Sequence, residues 1–80
     1  MNKKYFDQLV EHIISLKNSQ ELIVFLKGIL TPAELDEIST RLQIVKLIKE
    51  GLTHREIAVK LKVGIATVTR GSKEITKNRL

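Results

Sequence analysis

Residues 53–72 read THREIAVKLKVGIATVTRGS, and this stretch decides the fold. Thr53 and Glu56 have the three-residue spacing of a capping box, in which a threonine and an acidic residue satisfy free backbone N–H groups at a helix start. We therefore predict a short helix over residues 54–61, then a tight connection and a second helix that begins near Ile65. Two short helices joined by three or four residues form a helix-turn-helix unit.

The helix-turn-helix unit has a small apolar interior and an outer face of short side chains. Ile57, Leu61 and Val68 supply the shared core, and Ala58 lies where the helices cross so closely that only a small side chain fits. Methyl groups on an outer face can contact thymine methyls, hydroxyls can bond base edges, and an arginine can pair with guanine or bind phosphate. The predicted base-facing residues of the second helix are Ile65, Ala66, Thr67, Thr69 and Arg70.

Backbone N–H groups and positively charged side chains of the helix-turn-helix are predicted to contact the phosphates of DNA. The start of the first helix can direct N–H groups at the DNA backbone through Thr53, His54 and Arg55. Lys62 stands in the turn, where a positive φ costs a residue with a Cβ roughly 1 kcal/mol. Lys62 and Lys73 are expected to lie near the duplex backbone. The other cations of this part of the chain are Lys60, Lys77 and Arg79.

The charge of the chain is divided unevenly between its halves. Residues 1–40 carry four Lys and six Asp or Glu, for a net charge of −2, whereas residues 41–80 carry ten Lys or Arg and three Glu, for +7. An apolar, slightly acidic first half followed by a basic second half indicates an assembly element joined to an anion-binding element. The alternative is a solvated basic face without a nucleic-acid partner.

Upstream of this unit the sequence predicts three more helices, over about residues 3–16, 19–30 and 32–50. No stretch alternates with period two, so the predicted fold class is all-α with about five helices. Capping residues and a terminating glycine mark the helix boundaries: Asn18 with Glu21, Thr31 with Glu34, Pro32, and Gly51.

The first three helices carry more apolar surface than one short chain can bury. Residues 22–26 are five apolar residues in succession, and a helix that is apolar on every side must be buried on every side. An 80-residue chain has a marginal core, and without cysteine it has no disulfide or thiolate metal site, so a homodimer is expected. The third helix is expected to bury a stripe formed by Leu35, Ile38, Leu42, Val45 and Ile48.

We expect one domain over residues 1–80, with a helical dimerisation part over 1–50 and the helix-turn-helix over 53–73. The apolar run is too short to span a bilayer and no signal peptide is visible, so a cytoplasmic protein with no membrane role is expected. The sequence has no nucleophile–base pattern and no glycine-rich phosphate loop, so an enzyme is not expected. The two histidines, His12 and His54, lack a metal-binding pattern.

Four blocks of the sequence resemble the Trp repressor family. They are Leu30-Thr31-Pro32, Thr40-Arg41, Arg55-Glu56 and, above all, residues 64–72 (GIATVTRGS), which are similar to the recognition-helix signature of that family almost without a break. The resemblance covers about residues 30–72, and the first 29 residues agree only in being two amphipathic helices. It implies an intertwined all-α homodimer that represses transcription on a palindromic double-stranded operator, with L-tryptophan as corepressor beneath the recognition helix.

The resemblance also implies roles for individual residues of a ligand site. Arg41 and Arg70 match the two arginines that hold the indole ring between them, and stacked guanidinium groups favour such a ring. Val45 matches a wall of the site, and Gly71 matches the position that leaves room for the ring. Leu30 and Thr31 match the end of the partner chain's helix, whose carbonyls receive the ligand's ammonium. The residues that match base-facing positions are Ile65, Ala66, Thr67 and Thr69.

The sequence departs from the family pattern at three places. Glu74 stands where the family has a small hydroxyl residue near the ligand's amino group. The segment between Arg41 and Arg55 is one residue shorter, which corresponds to about 100° of helix rotation. The sequence stops at Leu80, before the family's last helix, so that helix is absent in this branch or the chain is truncated. All three departures affect the predicted binding of tryptophan more than the predicted binding of DNA.

Other interpretations of the same residues stay open. The chain could be a ligand-independent helix-turn-helix module, including one from a mobile element, or a helical protein-interaction protein that uses residues 22–26 and has no DNA role. Arg41 could pair with Glu37 on its own helix. Arg70 could contact only phosphate, and Gly71 could be a helix terminator.

Overall fold

The computed structural model describes the backbone of residues 1–78 and the side chains of residues 1–73, and all regular structure in that part is helical. The predicted all-α class is confirmed. The first four helices end within one residue of the predicted bounds, and the fifth continues past Lys73. The side chains of Glu74, Lys77 and Arg79 lie outside the described residues. The helices are α1 (Lys3–Ser15), α2 (Ser19–Ile29), α3 (Pro32–Lys49), α4 (His54–Leu61) and α5 (Ile65–Asn78).

The predicted capping boxes form at the starts of α3 and α4. The Thr31 N–H donates to Glu34 Oε1 at 2.8 Å, and the Glu34 N–H donates to Thr31 Oγ1 at 3.1 Å. The corresponding distances between Thr53 and Glu56 are 2.9 and 3.1 Å. Because each carboxylate accepts a backbone N–H, the pKa values of Glu34 and Glu56 lie below their ordinary value.

The start of α2 differs from the prediction in one bond. Asn18 Oδ1 accepts the Glu21 N–H at 2.9 Å, as expected of an N-cap. The Glu21 carboxylate, however, accepts the N–H of Lys17 at 2.8 Å and not that of Asn18. The acidic partner therefore stabilises the residue before the cap.

The described chain forms two compact units, Met1–Leu35 and Asp36–Leu80. The first unit has no fully buried residue. Val24, inside the apolar run of α2, is 69% exposed, and Ile14 of α1 is 76% exposed. The His12 and Phe25 rings contact each other with centroids 4.7 Å apart. This unit therefore leaves apolar surface uncovered within one chain, as the run over 22–26 predicted. The single domain over 1–80 stays a prediction.

The second unit holds the apolar core. Ile44 and Leu47 of α3, Ile57 of α4 and Val68 of α5 are buried. Packed against them are the half-buried side chains of Ile48, Leu52, Ala58, Leu61 and Val63. The predicted shared core of the helix-turn-helix is therefore confirmed.

The predicted stripe of α3 is only partly buried in this chain, where Ile48 packs against the core and Leu35 and Val45 are half-buried. Ile38 and Leu42 are about half exposed, at 51% and 50%, whereas Ile44 and Leu47 are the side chains that α3 buries. The reason is that α3 carries apolar residues on two faces, and α4 and α5 cover only one of them. No membrane-spanning candidate occurs in the described part of the chain, since no helix there is both long and apolar enough.

Two helices end in the same motif with different residues. At the end of α3, Gly51 has φ +94°, the Leu52 N–H donates to the Leu47 carbonyl, and the Gly51 N–H donates to Ile48. At the end of α4, the residue with positive φ is a lysine: Lys62 has φ 57° and ψ 43°. Its neighbouring bonds repeat the pattern, from Val63 to Ala58 and from Lys62 to Val59. Both ends are Schellman motifs, which favour glycine at this position.

We predict that Lys62→Gly raises the free energy of unfolding by about 1 kcal/mol, because a left-handed backbone strains a residue with a Cβ. Urea unfolding monitored by circular dichroism measures the change. The matched control is Gly51→Ala, which should lower the same quantity by a similar amount. A Lys62→Gly protein no more stable than the wild type would contradict the strain at this turn.

Candidate nucleic-acid interface and adjoining cavity

Helix α5 presents two different faces. Val68 and Gly71 point into the second unit and are buried. Ile65 is 52% exposed, and Thr69 is half-buried. The exposed side chains on the outer face are Ala66, Thr67, Arg70 and Lys73. A helix with short side chains outward and an arginine at the end of the row fits the major groove of B-DNA.

The start of α4 is largely occupied by its own capping box. Both the hydroxyl and the N–H of Thr53 are bonded to Glu56, and the Ile57 N–H donates to the Thr53 carbonyl. The N–H groups left at this helix start are those of His54 and Arg55. The Arg55 side chain is exposed, and that of His54 is half-buried. Thr53 therefore shapes this end of the helix, while its two successors present the groups suited to phosphate.

A cavity of about 210 Å³ lies between α3 and α5 in the second unit. Ile44, Val63 and Gly71 give it an apolar floor, and its other lining residues are polar or charged. The cavity is lined by Asp36, Glu37, Thr40 and Arg41 of α3, and by Thr67 and Arg70 of α5. Two carboxylates and two guanidinium groups therefore share one space.

Ile44 occupies the space beside Gly71. A Cβ added at Gly71 would lie 3.0 Å from Cγ2 and 3.4 Å from Cδ1 of Ile44. The first of these separations is shorter than ordinary van der Waals contact. Gly71 therefore allows the Ile44 side chain of α3 to approach α5 closely. This is a packing role within the helix rather than helix termination, since α5 continues to Asn78.

The structure brings together some of the residues that the family resemblance assigned to a ligand. Arg41, Arg70 and Gly71 line one cavity. Val45 is half-buried and does not line it, because its neighbour Ile44 faces Gly71. Leu30 and Thr31 belong to the first unit, where the Leu30 N–H caps α2 and the Thr31 carbonyl accepts the Leu35 N–H at 2.9 Å.

Several lining residues were not predicted from the sequence. Thr40 follows Asp36 by four residues and Glu37 by three, and Ile44 follows Thr40 by four, so all four share one face of α3. This spacing is the signal that could have identified them. The predicted stripe lies mainly on the other apolar face of the same helix. Thr67, predicted only to face bases, also lines the cavity.

The chain matches the family model described as Trp repressor protein over residues 4–79. A Trp operon repressor homolog of Vibrio parahaemolyticus is 41% identical over 71 residues, covering 88% of this chain and 69% of the relative. A Trp operon repressor homolog of Vibrio campbellii is 40% identical over 73 residues, covering 90% and 73%. The uncharacterized protein YerC of Bacillus subtilis is 31% identical over 67 residues, covering 84% and 64%. No solved structure matches the chain.

We predict that Gly71→Ala lowers the free energy of unfolding. Overpacking against Ile44 costs about 1–3 kcal/mol, which exceeds the roughly 1 kcal/mol or less that alanine gains over glycine within a helix. Chemical denaturation measures the difference.

The matched control for this substitution is Gly28→Ala in α2, where a Cβ meets nothing within 4 Å. The control should raise stability by about 0.5–1 kcal/mol. In an Ile44→Ala background the penalty at Gly71 should shrink. Equal effects of the two glycine substitutions would contradict the close contact.

Proposed function

The chain belongs to the Trp repressor family, a regulatory DNA-binding family and not an enzymatic one, and from this premise we propose that it represses transcription by binding a palindromic operator as a homodimer. The observation that carries the proposal is the orientation of α5. Its inner residues, Val68 and Gly71, are fixed in the core, and its short outer side chains are exposed. Such a repressor acts in the cytoplasm, where the operator is accessible.

Electrostatics support DNA as the ligand of the second unit. Five exposed cations belong to α4, the turn or α5, namely Arg55, Lys60, Lys62, Arg70 and Lys73. Basic side chains beside a groove-sized helix neutralise phosphates and give affinity that falls with salt. The exposed methyl groups of Ile65 and Ala66 supply the sequence-reading part by contact with thymine methyls.

We predict that Ala66→Gln reduces discrimination between an operator and a scrambled duplex by about 1–3 kcal/mol. The operator is first selected from random-sequence duplexes with the wild-type protein, and binding is then measured by fluorescence anisotropy at several salt concentrations. Ala66 is preferable to Thr67, because Thr67 also lines the cavity. It is preferable to Thr69, because Thr69 is half-buried.

The matched control for Ala66→Gln is Lys73→Ala. This change should weaken binding to both duplexes alike and reduce the salt dependence by about one phosphate contact. If Ala66→Gln leaves the discrimination ratio unchanged, α5 does not read the sequence and the repressor proposal fails. Binding that is weak, sequence-blind and lost with modest salt would favour the protein-interaction alternative.

Uncovered apolar side chains support the homodimer. Val24 and Ile14 of the first unit are more than two-thirds exposed, and Ile38 and Leu42 of α3 are about half exposed. Soluble chains seldom leave so many large apolar residues in water without an interaction site. A palindromic operator has two half-sites about one turn of DNA apart, and its two-fold symmetry matches that of a homodimer.

We predict that the wild-type chain sediments as a dimer and that Val24→Asp shifts it toward monomer, since a buried unpaired carboxylate opposes association. Sedimentation equilibrium gives the mass directly. Val59→Asp is the matched control, because Val59 is a 75% exposed valine on α4 of the helix-turn-helix. This variant should stay dimeric. A monomeric wild-type protein would overturn the homodimer.

The cavity supports tryptophan as a corepressor. Arg41 and Arg70 both line it, and flat guanidinium groups favour an aromatic ring by cation–π contact. Thr67 and Arg70 belong also to the exposed face of α5, so a ligand in the cavity would touch the helix that contacts DNA.

We predict that L-tryptophan binds the wild-type protein in isothermal titration calorimetry and that Arg41→Ala weakens binding roughly fivefold or more, since a partly desolvated cation–π contact contributes about 1 kcal/mol or more. Arg55→Ala is the matched control, because Arg55 is exposed but does not line the cavity. It should leave the ligand affinity unchanged. If L-tryptophan gives no heat of binding with the wild-type protein, the proposal that tryptophan is the corepressor fails.

Two observations favour a second candidate, a repressor that needs no ligand. Ile44 fills the room beside Gly71 that the family resemblance assigns to the indole ring. The cavity of about 210 Å³ is also smaller than the 300–1,000 Å³ or so that is usual for ligand pockets. Operator affinity that is equal with and without L-tryptophan would support this candidate.

A further inference from the structure

Lys62, in the turn between α4 and α5, holds a backbone conformation that suits glycine. Within the described part of the chain it is the one residue other than glycine with a positive φ. At the same position of the Schellman motif that ends α3, the chain has Gly51. A left-handed backbone strains a residue with a Cβ. A strained residue, where glycine serves in the same motif elsewhere, indicates that its side chain has a function.

The rest of the described chain makes no polar use of the Lys62 side chain. The side chain is exposed, and no described residue forms a hydrogen bond or ion pair with its ammonium group. Positive charge stabilises the end of a helix, but Lys60 already supplies a cation in the last turn of α4. The Lys62 ammonium is therefore available to a partner of opposite charge.

The backbone of Lys62 is held in place on both sides. Its neighbours Leu61 and Val63 both pack against the core, and its own N–H donates to the Val59 carbonyl at 3.3 Å. Helix α5, which is proposed to contact base edges, begins three residues later at Ile65. Backbone N–H groups at a helix start favour an anion in the same region. The lysine is thus attached at a fixed point beside the start of α5.

We propose that Lys62 is a positioning residue that binds a DNA phosphate beside the start of α5, and that the chain loses folding stability in return for this contact. The inference rests on the proposed binding of DNA. It goes beyond that proposal because it assigns opposite effects on folding and on binding to one side chain. A phosphate contact carries no sequence information, but it fixes the register and orientation of a protein on the duplex. Lys62 thereby sets how α5 enters the groove.

The test measures stability and DNA affinity in the same variants, by urea unfolding and by fluorescence anisotropy. Lys62→Gly should unfold at a higher urea concentration than the wild type, yet bind the selected operator and a scrambled duplex alike roughly threefold or more weakly. Its loss of affinity between about 50 and 200 mM salt should be about three- to fourfold smaller per protomer than that of the wild type, as expected for one phosphate contact.

Two further substitutions separate the charge of Lys62 from its backbone conformation. Lys62→Asn removes the charge but tolerates a left-handed backbone, so it should lose affinity and salt dependence as Lys62→Gly does. Lys62→Arg keeps the charge and should retain the affinity and salt dependence of the wild type. A merely structural role of the turn would leave the salt dependence of all three variants unchanged.

One matched control tests the stability effect and another tests the charge effect. Gly51→Lys makes the reverse change in the motif that ends α3, where an added Cβ meets nothing within 4 Å. It should lower the urea midpoint by about as much as Lys62→Gly raises it. Lys46→Gln removes an exposed lysine from the last turn of α3. It should leave the salt dependence of DNA binding as in the wild type.

The outcomes distinguish this inference from the proposed function. If Lys62→Gly binds DNA with the affinity and salt dependence of the wild type, the phosphate contact is overturned while the repressor proposal stands. The inference is also overturned if Lys62→Gly is no more stable than the wild type, or if Lys62→Arg loses as much affinity as Lys62→Asn. If the wild-type protein does not bind DNA, the repressor proposal fails and this inference fails with it.

Discussion

The mutual burial of Ile44, Ile57 and Val68 is the constraint on which the rest of the second unit depends. Each is 1% exposed or less, and together with Leu47 they are the only buried apolar residues in the part whose side chains are described. Burying one such side chain contributes about 1.5–3 kcal/mol, a large share of the 5–15 kcal/mol or so that usually stabilises a whole domain. Because Val68 cannot leave this cluster cheaply, the opposite face of α5 must point outward.

The same helix serves the cavity and the exposed outer face. Thr67, Arg70 and Gly71 lie on one side of α5 at spacings of three and four residues and line the cavity, while Ala66 lies on the outer face. A ligand can shift a repressor between states only through different contacts in each state. In the proposed mechanism those contacts fall on the residues that α5 shares between the two surfaces, so no long-range path is needed.

Features that depend on neighbouring residues in the sequence were predicted correctly. Features that depend on which face of α3 is buried were not. The capping boxes at Thr31 and Thr53 are local, and so is the left-handed turn at Lys62. On α3, apolar residues occur on both faces, and periodicity alone could not decide which face α4 and α5 cover. As a result, Ile44 lines the cavity in place of the predicted Val45. Asp36 and Glu37 were missed because exposed carboxylates on a helix usually face only water.

The central claim is that the outer face of α5 contacts base edges while Val68 stays in the core. Nuclear magnetic resonance of the methyl-labelled protein bound to its selected operator measures this directly, through intermolecular NOEs. We expect NOEs from the methyl groups of Ile65, Ala66 and Thr67 to DNA bases, and none from Ile57 or Val68. NOEs from the first unit to the bases, with α5 methyls silent, would contradict the claim.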